Sequence, residues 1–85
     1  MRTRHAIGHV LRNRRQDLQL SLREVNPHIS YAYLSEVERG KKDVSADLLD
    51  VLTNSLGFTR AEFMLAVANI LNKYDKEAQR ESARV

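Results

Sequence analysis

Apolar residues recur along the chain at helical spacing, in blocks opened or closed by capping and turn residues. Ile7, Val10, Leu11 and Leu18 form the first stripe, with Arg12, Arg14 and Asp17 among the polar positions. This predicts an amphipathic helix over about residues 4–18. "SLRE", Ser21 to Glu24, is a capping box, in which each side chain satisfies a free backbone N–H at a helix start. The helix it opens must be short, because Pro27 lacks an N–H and disfavours helical geometry at Asn26. Ser30 is the next cap, and "YAYLSEVER" follows as a third helix closed by Gly40. Ser45 opens a fourth, with Asp47 and Asp50 early and Leu48, Leu49, Leu52 and Leu56 as its buried stripe, closed by Gly57. "TRAE", Thr59 to Glu62, opens a fifth that runs to about residue 80, and "ESARV" (81–85) is expected to fray. With no β alternation and no repeat, the pattern predicts a compact all-α domain of five helices joined by short loops.

The third helix is the one whose pattern is not explained by packing. At 100° per residue, Leu34 and Val37 lie together with Tyr33 beside them and point inward. Ala32, Glu36 and Arg39 fall on the opposite side, with Ser35 between. That outward face is short or polar. In a major groove an alanine methyl meets a thymine methyl, and hydroxyls bond phosphates or base edges. The capped N-terminus offers free N–H groups to an anion, and Arg39, Lys41 and Lys42 are placed to neutralise phosphates beside it. Two short helices in tandem, the second with a small-residue face, are what helix-turn-helix recognition requires. A plain helical hairpin inside a bundle is the alternative.

Charge favours the first of these readings. Residues 1–42 hold nine Lys/Arg and four acids, residues 43–85 five Lys/Arg and seven acids, so a basic half sits beside a faintly acidic one. The 85 residues suffice for one small domain, and the balance of 42% apolar and 29% charged residues is that of an ordinary globular chain. The chain has no cysteine, which excludes disulfides and thiolate metal sites and fits a reducing compartment. No apolar run suits a membrane span, and "MRTRHAIGHV" does not read as a secretory signal.

Residues 11–57 resemble the helix-turn-helix domain of the Cro/lambda-repressor-like family, also called the xenobiotic-response-element family. The resemblance is carried by "LRNRR" (11–15), "LSLREV" (20–25), "SYAYLSEVERGKKDVS" (30–45) and "LLDVLTNSLGF" (48–58). Within the family, "YLSEVERGKKDVS" is most similar to the actinobacterial regulators of Clp protease genes. The resemblance implies a lambda-repressor-like DNA-binding domain in which Tyr31, Ala32, Ser35 and Glu36 read base edges and Ser30 and Arg39 hold phosphates. It implies that Ser21, Leu22 and Arg23, at the start of the second helix, brace the DNA backbone. It further implies that Arg15 and Glu38 form a structural salt bridge between the first and third helices. One departure stands out. The family has about two more residues between the second-helix serine and the third-helix cap, with a mid-helix alanine and a glycine in the turn; here the segment is "NPHI" (26–29).

In the fifth helix Phe63, Val67, Ile70 and Tyr74 recur at spacings of four, three and four, and Met64, Leu71 and Ala78 extend the stripe. A helix of about 20 residues, ~30 Å, exceeds what so small a core covers. Phe63, Met64, Val67, Ile70, Leu71 and Tyr74 are therefore expected at a homodimer interface, against the alternative that the helix folds back on its own core. This divides the chain into a DNA-binding core (1–58) and a dimerisation helix (59–85). Two recognition helices about one DNA turn apart, ~34 Å, read a near-palindrome. His5 and His9 share a helix face but have no third ligand and no H-E-x-x-H arrangement, so no metal is expected. No nucleophile–base pair or Gly-rich phosphate loop is visible, and no enzyme activity is expected. The expectation is a cytoplasmic, nucleoid-associated, sequence-specific regulator of double-stranded DNA acting as a homodimer. RNA polymerase is a further candidate partner, since Glu36 is open between polymerase and a cytosine amino group. The competing reading is a protein-interaction module, antitoxin or adaptor, on the same scaffold. An RNA-binding module would need stacking aromatics beyond Tyr31 and Tyr33.

Overall fold

A computed structural model describes the backbone of residues 1–83 and the side chains of residues 1–79. Five helices follow one another: α1 (Thr3–Asp17), α2 (Leu22–Val25), α3 (Tyr31–Glu38), α4 (Ala46–Ser55) and α5 (Arg60–Ala83). The described residues contain no strand, and the all-α expectation holds. Each expected cap is made. Ser21 Oγ accepts from Glu24 N at 3.3 Å, Ser30 Oγ from Tyr33 N at 3.3 Å, Ser45 Oγ from Leu48 N at 3.2 Å and Thr59 Oγ1 from Glu62 N at 3.0 Å. Gly40 and Gly57 sit past the ends of α3 and α4 with φ of 72° and 71°, the left-handed geometry that lets the chain leave a helix. α5 reaches Ala83, into the stretch expected to fray, and residues 84–85 lie outside the described residues.

The core is built from every helix: Ala6, Val10 and Leu11 of α1, Val25 of α2, Leu34 and Val37 of α3, Leu52 and Leu56 at α4, Phe63 and Val67 of α5. α1 and α3 cross closely at Gly8, where an added Cβ would lie 2.6 Å from the Glu38 carbonyl oxygen and closer still to that of Val37. Arg14 closes the far end. Its Nε donates to Leu56 O at 2.8 Å, satisfying a carbonyl at the end of α4, and its guanidinium lies 4.9 Å over the Phe58 ring. Phe58 in turn meets Phe63 edge-on at 5.9 Å.

Two expectations change. Leu18 is 41% exposed rather than buried, because α1 ends at Asp17 and the chain then turns through Gln19, whose φ is 57°, which takes Leu18 off the helical stripe. Thr53, which the apolar pattern does not single out, is also buried, with its hydroxyl donating to Asp50 O at 3.1 Å and so needing no water. The second change concerns α5. Phe63 and Val67, expected at a dimer interface, are 1% and 8% exposed, inside this chain's own core. The first turns of α5 roof α1 and α4 and use that stripe to do so. Ile70 and Leu71 pack half-buried at the margin of the same core, Tyr74 is exposed, and Ala78 lies beyond it in solvent. The apolar face left open is rotated away from the buried one: Met64 and Leu65 are 59% and 64% exposed, with Ala61 and Ala68 beside them. The rest of α5 projects past the core, and the molecule measures 49 × 24 × 24 Å.

Candidate nucleic-acid interface

The two helices expected to engage DNA are set by local chemistry. At α2 the capping box is complete: Ser21 N also donates to Glu24 Oε1 at 2.9 Å. That backbone hydrogen bond, with the Ser21 hydroxyl second, holds the Glu24 carboxyl below the usual carboxylate range. α2 is a single turn, as the position of Pro27 requires. Its buried residue is Val25, and Leu22 packs half-buried against the core. The Leu22 side chain is therefore committed to packing, and what it leaves open is its backbone N–H, a first-turn donor with no intrahelical partner.

Asn26 makes the turn without a glycine. Its backbone is extended (φ −159°, ψ 116°), its Oδ1 accepts from His28 N at 2.9 Å, and its Nδ2 reaches Ser55 Oγ at 3.5 Å. The backbone closes with Ile29 N donating to Asn26 O at 3.3 Å. A side chain supplies what the expected glycine would have supplied by backbone freedom, and it also leans the turn on the end of α4. Nothing in the periodicity pointed to this role.

α3 is held on its inner side by buried Leu34 and Val37 and by the expected ion pair. Arg15 Nε and Nη2 donate to the two Glu38 carboxylate oxygens at 2.7 and 2.9 Å, and Arg15 Nη1 donates to Leu20 O at 2.8 Å. The side chains are 15% and 10% exposed, so the pair sits at the seam of α1 and α3. The Glu38 hydrogen bond raises the Arg15 pKa above its ordinary value against the opposing pull of burial, so the guanidinium stays charged. Tyr33 adds a tether that periodicity assigned only to packing. Its hydroxyl donates to Asp43 O at 3.1 Å, fixing the loop that carries Lys41 and Lys42.

The outer side of α3 is open. Tyr31 is 52% exposed, Ala32 and Arg39 are exposed, and Ser35 and Glu36 are half-buried. Arg39 lies back along the helix, with Nε donating to Ser35 O at 3.3 Å. Glu36 lies 3.9 Å from the Lys42 ammonium, a solvated pair that contributes little to stability but offsets the one carboxylate on this face. Arg23, from α2, lies over the Tyr31 ring with its guanidinium carbon 5.3 Å from the centroid. Arg23, His28, Ser30 and Tyr31 line one surface notch between the two helices. The structure thus brings Ser21, Leu22 and Arg23 together with Ser30, Tyr31 and Ala32 around the α2–α3 turn, and sets Arg39, Lys41 and Lys42 at the other end of α3. Met64, Ile70, Leu71 and Tyr74 lie on a separate element, α5. His5 packs over Gly40, and among the described residues no three His, Cys, Asp or Glu converge as a metal site would need. No described helix is long and apolar enough to cross a membrane.

This geometry has counterparts among known proteins. No protein-family model matches the sequence. Two relatives named transcriptional regulator ClgR, from two strains of Mycobacterium tuberculosis, are each 42% identical to it over 55 residues, 62% of this chain and 49% of theirs. The chain therefore spans about half the length of the curated relatives it matches. The crystal structure of the clp gene regulator ClgR from Corynebacterium glutamicum superposes with a TM-score of 0.85 and 36% identity, covering 99% of this chain and 89% of that one. A second crystal structure of the same regulator gives a TM-score of 0.77 and 38% identity over 81% of this chain and 91% of that one. Sharing over a third of its residues with that regulator along nearly the whole length of both, this chain belongs to the ClgR family.

Proposed function

We propose that this chain is a transcriptional regulator that binds double-stranded DNA by sequence, as a homodimer on a near-palindromic operator. The observation that carries the reading is α3 itself. One side is locked into the core by Leu34, Val37 and the Arg15–Glu38 pair, while the other presents Tyr31, Ala32 and Ser35, with Arg23 beside the serine-capped end and Arg39, Lys41 and Lys42 at the opposite end. A helix that is rigid behind and small or polar in front fits a major groove. In this reading Tyr31, Ala32, Ser35 and Glu36 meet base edges. Ser21, the Leu22 N–H, Arg23, Ser30, Arg39, Lys41 and Lys42 meet phosphates. The Corynebacterium glutamicum protein is named a clp gene regulator, and operators of such genes are where this chain is expected to act, in the cytoplasm, beside RNA polymerase.

The labour divides along the chain. Residues 1–58 read DNA, and α5 both completes their core and pairs two copies. The pairing face is Ala61, Met64, Leu65, Ala68 and Leu71 rather than the Phe63–Val67 stripe, which is already buried. Pairing sets the two α3 helices about one DNA turn apart.

The test is a selection of bound sites from random duplex DNA, with Ser35→Ala and Arg39→Ala as controls. A two-fold site, lost in both variants while sedimentation still reports the wild-type oligomer, is expected. Affinity should also fall steeply with salt as phosphate contacts release counterions. Failure to enrich any duplex at low salt sinks DNA reading and leaves the exposed face of α5, and a protein partner, as the functional surface.

A further inference from the structure

We propose that Arg23 is a positioning residue for base reading: its guanidinium locks the Tyr31 ring, so that the grip on a DNA phosphate and the reading of a base edge are one coupled unit. The proposal rests on the DNA-binding reading above and adds a specificity role to a residue that charge alone would class as a backbone contact.

The geometry has three parts. The guanidinium carbon of Arg23 lies over the Tyr31 ring, 5.3 Å from its centroid. Tyr31 is the first residue of α3 and is 52% exposed, so it stands at the end of the recognition helix with the Arg23 stack on one side. Arg23 makes no ion pair and no hydrogen bond among the described residues, so its N–H donors remain open to a phosphate while its guanidinium carbon lies over the ring. The neighbouring carboxylate does not compete for it, because Glu24 is occupied by Ser21 N at 2.9 Å. Both platforms are firm. Val25 anchors α2 in the core, and the Asn26 side chain fixes the turn that joins it to α3. Arginine is the commoner partner of an aromatic face, and a lysine here would keep the charge while giving up the guanidinium's contact with the ring.

The test is a double-mutant cycle with Arg23→Lys, Tyr31→Leu and the pair. The probes are the duplex that the wild-type chain enriches from random sequence and a scrambled duplex of equal length. Dissociation constants are read by fluorescence anisotropy at two salt concentrations, with thermal melts as a folding check. Arg23→Lys should lower the ratio of enriched to scrambled affinity by about two- to fivefold, the size of one exposed cation–π contact, at unchanged salt slope. In the Tyr31→Leu background the same change should leave the ratio untouched. Equal losses on both duplexes, or additive effects in the cycle, overturn the coupling and leave Arg23 as a simple phosphate contact. A wild-type chain that binds both duplexes alike overturns the DNA-reading function and, with it, this proposal.

Discussion

The Arg15–Glu38 pair gives the sharpest test of how α3 is held. Its side chains are 15% and 10% exposed, so it falls outside the class of surface bridges that contribute ~0–1 kcal/mol. Removing one partner leaves the other desolvated and uncompensated, which costs about 3–5 kcal/mol. The two partners are not equivalent. Glu38→Gln keeps the volume and one acceptor, while Arg15→Met also frees Leu20 O, which Arg15 holds at 2.8 Å. Arg15→Met should therefore cost more than Glu38→Gln. Against a total stability of roughly 4–13 kcal/mol for a chain of this size, either change is severe.

The assay is urea unfolding followed by far-UV circular dichroism, at one protein concentration, because a self-associating chain gains stability by mass action. With an m-value of about 1.5 kcal/mol per M, a loss of 3 kcal/mol moves the midpoint down by about 2 M. The double variant Arg15→Met/Glu38→Leu should recover most of the loss, since an apolar pair of similar volume avoids the desolvation cost. If each single variant costs under about 1 kcal/mol, the pair behaves as a solvated bridge, and the argument that it fixes α3 against α1 is wrong.

The remaining predictions concern packing, caps and the α5 face. Gly8→Ala should destabilise by at least the ~1–3 kcal/mol of an overpacked core, because its Cβ meets the backbone carbonyls of Val37 and Glu38, which cannot swing aside; the urea midpoint reads this out. Glu24 and Glu62 are both held below the usual carboxylate range by the backbone N–H groups of Ser21 and Thr59, with the hydroxyls of the same residues second. Each contributes stability that is present above its unfolded value and lost as pH falls through the lowered folded value, so melting temperature should drop below about pH 4.3, and Glu24→Gln/Glu62→Gln should flatten that limb. Phe63→Ala should cost about 3–5 kcal/mol as a core cavity. Leu65→Ser should instead leave the urea midpoint of dilute protein nearly unchanged and, on the proposed pairing of two copies through this face, weaken self-association in sedimentation.

What was legible in the sequence was local. Ser21, Ser30, Ser45 and Thr59 each announce a helix, because a cap is a hydrogen bond to a backbone N–H three residues away and needs nothing else. The face of α5 was not legible for the converse reason. Phe63, Val67 and Ile70 make one apolar stripe and Ala61, Met64, Leu65 and Ala68 another, and only docking on α1 decides which is buried. The α2–α3 turn lies between these cases. Its missing glycine was visible, but the consequence was not, because the remedy joins a local bond, His28 N to Asn26 Oδ1, to a distant one at Ser55. That arrangement links recognition to the fold. Two points fix where α2 ends relative to α3: the Asn26 side chain against α4 and the Val25 side chain in the core. The spacing of Arg23 and Tyr31 follows from them, and with it the shape of the surface between α2 and α3. The orientation of α3 is thus set by side-chain hydrogen bonding in the turn as well as by packing behind the helix, so a substitution at Asn26, which carries no charge, bears on the whole surface.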